Sequence, residues 1–117
     1  MSAYWIAHVT IHDMEKYKQY MSIAPLAFAK YGAKFLVRGG KSTCLEGSEY
    51  ERHIIIEFSD LASAQACYFS EEYSKARAAR ENCADVMISI VESIEGTPPN
   101  NNDTGVSAEY TPPLSSR

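Results

Sequence analysis

AYWIAHVTI, residues 3–11, decides the fold together with RHIIIEFS, residues 52–59. The first stretch puts Trp5, Ala7, Val9 and Ile11 on one side of an extended chain and Tyr4, Ile6, His8 and Thr10 on the other. Its aromatic and β-branched residues favour a strand, and both of its faces are largely apolar. The second stretch is the most apolar run of the sequence, with Ile54, Ile56 and Phe58 alternating with Ile55. It reads as a central strand.

Between these strands, Asp13 offers a carboxylate oxygen to the free N–H groups of a helix start. Met14, Tyr17, Met21, Ala24, Phe28 and Tyr31 then recur every three or four residues, the stripe of a packed helix. Pro25 removes a backbone donor inside that stripe, which predicts a kink or a restart after Ser22. Gly32 supplies a left-handed stop. AKFLVR, residues 33–38, forms a second strand ending at Gly39-Gly40, and a short extended piece around Thr43–Glu46 leads to a turn at Gly47-Ser48. After the central strand, Ser59 or Asp60 caps a helix carrying Leu61, Ala64 and Tyr68. Ser70 caps a second segment whose Glu71 and Glu72 suit a helix N-terminus, and which runs to about Asn82. DVMISIVESI, residues 85–94, is the fourth strand.

The order β-α-β-β-α-β predicts an α+β, ferredoxin-like domain: a four-stranded antiparallel sheet with two helices on one face. The other face then carries apolar side chains with nothing from the same chain to cover them. Exposing several hundred Å² of apolar sheet would forgo on the order of 10 kcal/mol at about 25 cal/mol per Å². Face-to-face pairing of two copies is the simple remedy, so a homodimer is expected. The space between the sheet and its partner is the expected place for a small ligand.

The remaining composition narrows the function. With 117 residues, 45% hydrophobic and 22% charged, the chain has material for one domain with a real core. A net charge of −4 without a run of Lys or Arg argues against nucleic acid and anionic membrane as partners. No apolar stretch approaches the ~20 residues of a membrane span, and the N-terminus lacks the marks of a secretory signal, so a cytoplasmic location is expected. Cys44, Cys67 and Cys83 are an odd number without CxxC spacing, so reduced thiols are expected rather than disulfides or a thiolate metal site. From Thr97 the composition changes to TPPNNNDTGVSAEYTPPLSSR, read as a flexible tail over 97–117 following a domain over 1–96. Tyr110 and Leu114 within it are candidates for docking on a partner subunit.

The segments YWIAHVTIHDMEKYKQY, YGAKFLVRGG, LEG, IIIEFSDLASA and YFSEEYSKAR, with the later Arg80, resemble in order and spacing the DUF1330 family of small uncharacterised bacterial proteins. The resemblance spans roughly residues 3–96. It implies membership of the dimeric α/β-barrel superfamily, which also holds cofactor-independent monooxygenases, muconolactone isomerases, some polyketide cyclases and stress-responsive proteins. No cofactor and no particular reaction come with it. Two residues depart from the pattern: Ala33 stands where a second glycine is usual, and Cys67 where tryptophan commonly precedes Tyr68.

Several side chains are candidates for chemistry. His8, sharing a strand face with Tyr4, is a candidate general base if that face lines a half-closed cavity; otherwise it is a core or interface histidine. His8 and His12 are not a metal pair, because four residues along a strand separate them by ~13 Å. No other grouping has metal-ligand spacing. Arg38 emerges before two glycines, where its fork of donors can hold a carboxylate or enolate oxygen, or else pair with Glu46 or Glu57. Glu57, inside the most apolar strand, is a candidate acid or base. Tyr4, Glu46, Tyr68, Ser70, Tyr73 and Arg80 complete the substrate-binding candidates, with Ser70 more simply a helix cap. The expected function is a cofactor-independent enzyme acting on a small carbonyl or carboxylate compound; a dimeric module that binds or sequesters such a compound is the alternative.

Overall fold

The computed structural model describes residues 1–94. Within it the elements are β1 (Ala3–Ile11), α1 (Met14–Lys30), β2 (Lys34–Arg38), β3 (Arg52–Phe58), α2 (Leu61–Tyr68), α3 (Glu71–Ala79) and β4 (Ala84–Glu92). The four strands form one antiparallel sheet in the order β2-β3-β1-β4. This is the ferredoxin-like α+β arrangement expected from the element order, with the second helical stretch divided in two. The proposed tail, with Tyr110 and Leu114, lies outside the described residues.

Local chemistry explains where the helices begin and end. The Asp13 carboxylate accepts the Lys16 backbone N–H at 3.2 Å, and Asp60 rather than Ser59 caps α2, accepting from Ser63 N at 2.7 Å. Ser70 caps α3 by accepting from Tyr73 N at 3.0 Å while donating to the Cys67 carbonyl at 2.7 Å, so one hydroxyl joins the two helical segments. Gly32, at φ +72°, closes α1: Ala33 N donates to Phe28 O at 3.0 Å and Gly32 N to Ala29 O at 3.2 Å, a left-handed stop that a Cβ would strain.

Of the kink or restart expected at Pro25, the restart does not occur: helix α1 runs unbroken from Met14 to Lys30. Pro25 and its neighbour Leu26 lie on the exposed side, where water can solvate the carbonyl that the proline leaves without a helical donor. Residues 43–46 pair with no strand, and the chain bends at Glu46-Gly47 around Cys44, whose thiol lies within 3.6–3.8 Å of the Glu46, Gly47 and Ser48 carbonyls.

The core lies between sheet and helices. Trp5, 1% exposed, meets Phe28 edge-on at 5.1 Å and Tyr73 edge-on at 5.0 Å and stacks on Phe58 at 5.9 Å. Such aromatic pairs contribute about 0.5–1.5 kcal/mol each beyond their area. Burial along β1 alternates, with Ala3, Trp5, Ala7 and Val9 inside and Tyr4, Ile6, His8 and Thr10 half-buried on the open face. Ile55, opposite Ile6, and Met87 and Val91 of β4 extend that uncovered apolar surface.

Candidate functional site

A cavity of about 190 Å³ lies between the helix-facing side of the sheet and α1. It exists because the residues meeting there are short: Ala7 and Val9 on β1 face Ala24 on α1, while Trp5, Tyr17 and Phe28 hold the two layers apart. For scale, an apolar cavity of roughly 150 Å³ holds a benzene molecule. The expected site between the sheet and a partner copy is therefore not where this chain by itself encloses space.

The walls are divided by chemistry. Towards one end stand Trp5, Phe28, Phe35 and Ile56, with the Arg38 guanidinium over Phe35; towards the other, Arg52 and Arg80 with the phenols of Tyr17 and Tyr20. Sheet register sets this division, since Trp5 and Phe35 both pair with Ile56, whereas Val9 pairs with Arg52. No aspartate or glutamate lines the cavity. Among the described residues none of the three arginines is in an ion pair.

Arg38 reaches this wall through a β-bulge. The pairing of β2 with β3 runs Phe35↔Ile56, then Val37↔Ile55 and Arg38↔Ile54, with Leu36 left as the extra residue. Strict alternation from Phe35 would send Arg38 to the open face; the bulge returns it to the face of Phe35. Its guanidinium lies 3.7 Å over the Phe35 ring, an arrangement that leaves the in-plane N–H donors free. It pairs with neither Glu46 nor Glu57.

Arg80, at the C-terminus of α3, is fixed by tyrosines. It donates to the Tyr73 hydroxyl at 3.3 Å, and that hydroxyl lies 2.8 Å from the Tyr20 hydroxyl. Its guanidinium also stands 5.1 Å from the Tyr20 ring centre. Burial pushes the Tyr20 phenol well above its ordinary pKa, with Tyr73 adding to the effect. Burial likewise raises Tyr17, against the opposing pull of Arg80 and Arg52. Both phenols are therefore neutral donors at physiological pH. Beyond Arg80 lies a second, more open hollow between β4 and α2–α3, lined by Leu61, Gln65, Tyr68, Phe69 and Arg77; Arg80, Val86 and Ile88 border both spaces.

The residues singled out from the sequence divide into separate places. Arg38 and Arg80 line the cavity, and Tyr73 stands directly behind Arg80. Tyr68 lines the outer hollow, under Arg77 at 4.9 Å. Ser70 is engaged as a cap, and Glu46 is exposed in the β2–β3 loop. His8, Tyr4 and Glu57 are on the opposite face of the sheet, away from the cavity, because strand alternation separates them from Trp5 and Ile56. There His8 Nδ1 lies 2.8 Å from His53 Nδ1, one imidazole donating to the other, and Glu57 sits in register with Tyr4 and Lys34. Sequence reasoning missed Tyr20 and Arg52. Tyr20 follows Tyr17 by three residues and so shares its helix face, and Arg52 shares the face of Ile54 and Ile56; those spacings were the available signals.

Among the described residues no group of three or more His, Cys, Asp or Glu is placed to hold a metal ion, and no helix is long and apolar enough to cross a membrane. The three cysteines are free, and burial pushes the Cys67 thiol up to about 12.

Comparison with known proteins gives a family and a fold. No curated protein matches the sequence. Similar solved structures include a protein of unknown function from Rhodopseudomonas palustris, 16% identical with a TM-score of 0.67 over 81% of this chain and 84% of that one. A dimeric ferredoxin-like protein of unknown function from Jannaschia sp. CCS1 is 10% identical, with a TM-score of 0.62 over 80% and 100%. SnoaB, a cofactor-independent oxygenase from Streptomyces nogalater, is 11% identical, with a TM-score of 0.54 over 85% and 98%. At these identities the likeness is one of fold. The family described as a domain of unknown function, DUF1330, matches residues 2–94, nearly all of the described structure, and the chain belongs to that family.

Proposed function

We propose that the chain acts as a homodimer in which each subunit binds a compact, largely apolar molecule, the size of one substituted ring, through an anionic oxygen. The observation that carries this reading is the cavity wall itself: three arginines, two neutral phenols and no carboxylate in an otherwise aromatic and aliphatic space. An anion held there meets donors already oriented by Phe35 and Tyr73, which is the arrangement that stabilises developing oxyanions. The lining contains no imidazole, thiol or carboxylate, so it has no group that accepts a proton readily at neutral pH. A substrate that enters already ionised suits such a wall, and Arg80 and Tyr20 then hold negative charge on its carbonyl or enolate oxygen. Cofactor-independent turnover of that anion, of the isomerase, cyclase or oxygenase kind, is the catalytic form of this proposal; the similar fold of a cofactor-independent oxygenase is in keeping with it. Dimerisation through the open sheet face rests on its uncovered Ile6, Ile55 and Met87 and on the dimeric neighbours.

Trp5 is the single tryptophan of the sequence and lines the cavity, so its fluorescence reports occupancy. Titration with benzoate is expected to change that fluorescence saturably, and Arg80→Met to weaken the binding by at least about tenfold, the equivalent of 1.4 kcal/mol. Toluene binding as tightly as benzoate would overturn the proposal. Native mass spectrometry of the purified dimer, with and without incubation in air, identifies any carried molecule and shows whether it is converted or merely held.

A further inference from the structure

We infer that the row His53–His8–Met87 on the open sheet face is a binding site for a copper(II) ion, separate from the cavity and independent of the function proposed for it. The register of three adjacent strands makes the row: His8 on β1 stands directly opposite His53 on β3 and, on its other side, opposite Met87 on β4. β3 and β1 are the two inner strands of the sheet, so both imidazoles are carried by rigid elements. Spacing along the sequence hides the site, because His8 and His53 are 45 residues apart and meet only through strand pairing. The same face is the proposed dimer interface, so an ion held there lies between two copies of the chain.

The separation of the imidazoles decides which metal fits. Their Nδ1 atoms are 2.8 Å apart, with ring centres 5.0 Å apart and planes at 76°. Two nitrogens each about 2.0–2.1 Å from one ion lie about 2.8–3.0 Å apart when the angle at the ion is a right angle, and about 3.3–3.4 Å apart at the tetrahedral angle. The observed pair therefore matches adjacent corners of tetragonal copper(II), whereas tetrahedral zinc would require the nitrogens to part by about half an ångström. In the metal-free pair one Nδ1–H donates to the other Nδ1. To bind the ion, the donating ring carries its proton on Nε2 instead and both rings turn their Nδ1 lone pairs towards the metal, with no net proton released from two neutral imidazoles. Met87, half exposed and unbranched, brings a thioether to the flank of His8, where it serves as the weak, long axial ligand that copper accepts from sulfur. Water takes the remaining positions.

The test titrates the full-length chain carrying Cys44→Ser, which removes the exposed thiol that would itself reduce or capture the ion, with copper(II) sulfate. Electron paramagnetic resonance is expected to show a tetragonal ion coupled to two imidazole nitrogens. Because the second imidazole acts within the same molecule, His8→Asn and His53→Asn are each expected to weaken binding by at least about a hundredfold. Met87→Leu, which keeps the side-chain volume, is expected to weaken it by less than about tenfold and to keep both nitrogens. His12→Asn removes the remaining histidine and is expected to change neither affinity nor spectrum. Copper coupled to one nitrogen or none in the Cys44→Ser protein overturns the inference without any histidine variant having to fold. Undiminished binding by His8→Asn or His53→Asn, or loss of binding in His12→Asn, overturns it equally.

Discussion

Tyr73→Phe isolates the network behind the cavity, because it removes one oxygen and nothing else from a side chain that is fully buried. That oxygen accepts a hydrogen bond from Arg80 at 3.3 Å and shares a second with the Tyr20 hydroxyl at 2.8 Å. The tyrosine pair, of ordinary length, contributes about 1 kcal/mol net. The bond from Arg80 is charge-assisted but long, which places it near the lower end of the 1.5–3 kcal/mol range for such bonds, about 1.5 kcal/mol. Arg80 is only half-buried and can recover water, so little is added for stranding it. The loss is therefore about 2.5 kcal/mol. Tyr20→Phe removes only the shared bond and should cost about 1 kcal/mol. In urea, with a slope of roughly 1–3 kcal/mol per molar, Tyr73→Phe lowers the unfolding midpoint by about 0.8–2.5 M when measured at fixed protein concentration. The double variant should cost less than the sum of the singles by about 1 kcal/mol, since the tyrosine–tyrosine bond is lost only once. Equal costs for the two single variants, or a strictly additive double variant, would refute the assignment of Tyr73 as the link between Arg80 and Tyr20.

Ile55→Glu places a carboxylate in the middle of the open sheet face, beside Ile6, and should raise the dimer dissociation constant by a factor of about a thousand or more; sedimentation at about 10 μM then shows single chains, and an unchanged dimer mass would show that this face is not the interface. Under native conditions iodoacetamide at pH 8 should label one thiol, the exposed Cys44, because Cys67 and Cys83 are buried and the Cys67 thiol is pushed up to about 12; peptide mapping that finds rapid labelling at Cys67 contradicts the packing of α2 against α1. Ser70→Ala removes both the cap of α3 and the bond to Cys67 O, and should cost about 2 kcal/mol by thermal or urea unfolding, whereas Ser70→Thr, which keeps the hydroxyl, should cost less.

The elements themselves were legible in the chain, because each rests on short-range physics. Alternation in AYWIAHVTI and RHIIIEFS marks strands with two apolar sides, and Asp13, Gly32 and Ser70 mark helix ends through hydrogen bonds that span at most a few residues. Helix division at Ser70 and the β-α-β-β-α-β order followed from the same signals. Pro25 brings no restart of α1, because its cost depends on whether the orphaned carbonyl meets solvent, and that is settled by which side of α1 faces out.

Residue patterns alone determined that a four-stranded sheet with helices on one face would form and leave its other face apolar, since periodicity and turn chemistry act along the chain. They left open where space would remain, because a cavity is what side chains from distant segments fail to fill: here Ala7 and Ala24, seventeen residues apart in sequence, meet across the core. Only the tertiary arrangement decided that Arg38, Arg52 and Arg80 share that cavity while His8 and Glu57 stand outside it. One unpaired residue, Leu36, reverses the facing of Arg38, and strand register of that kind is fixed by partners across the sheet rather than by neighbours along the chain.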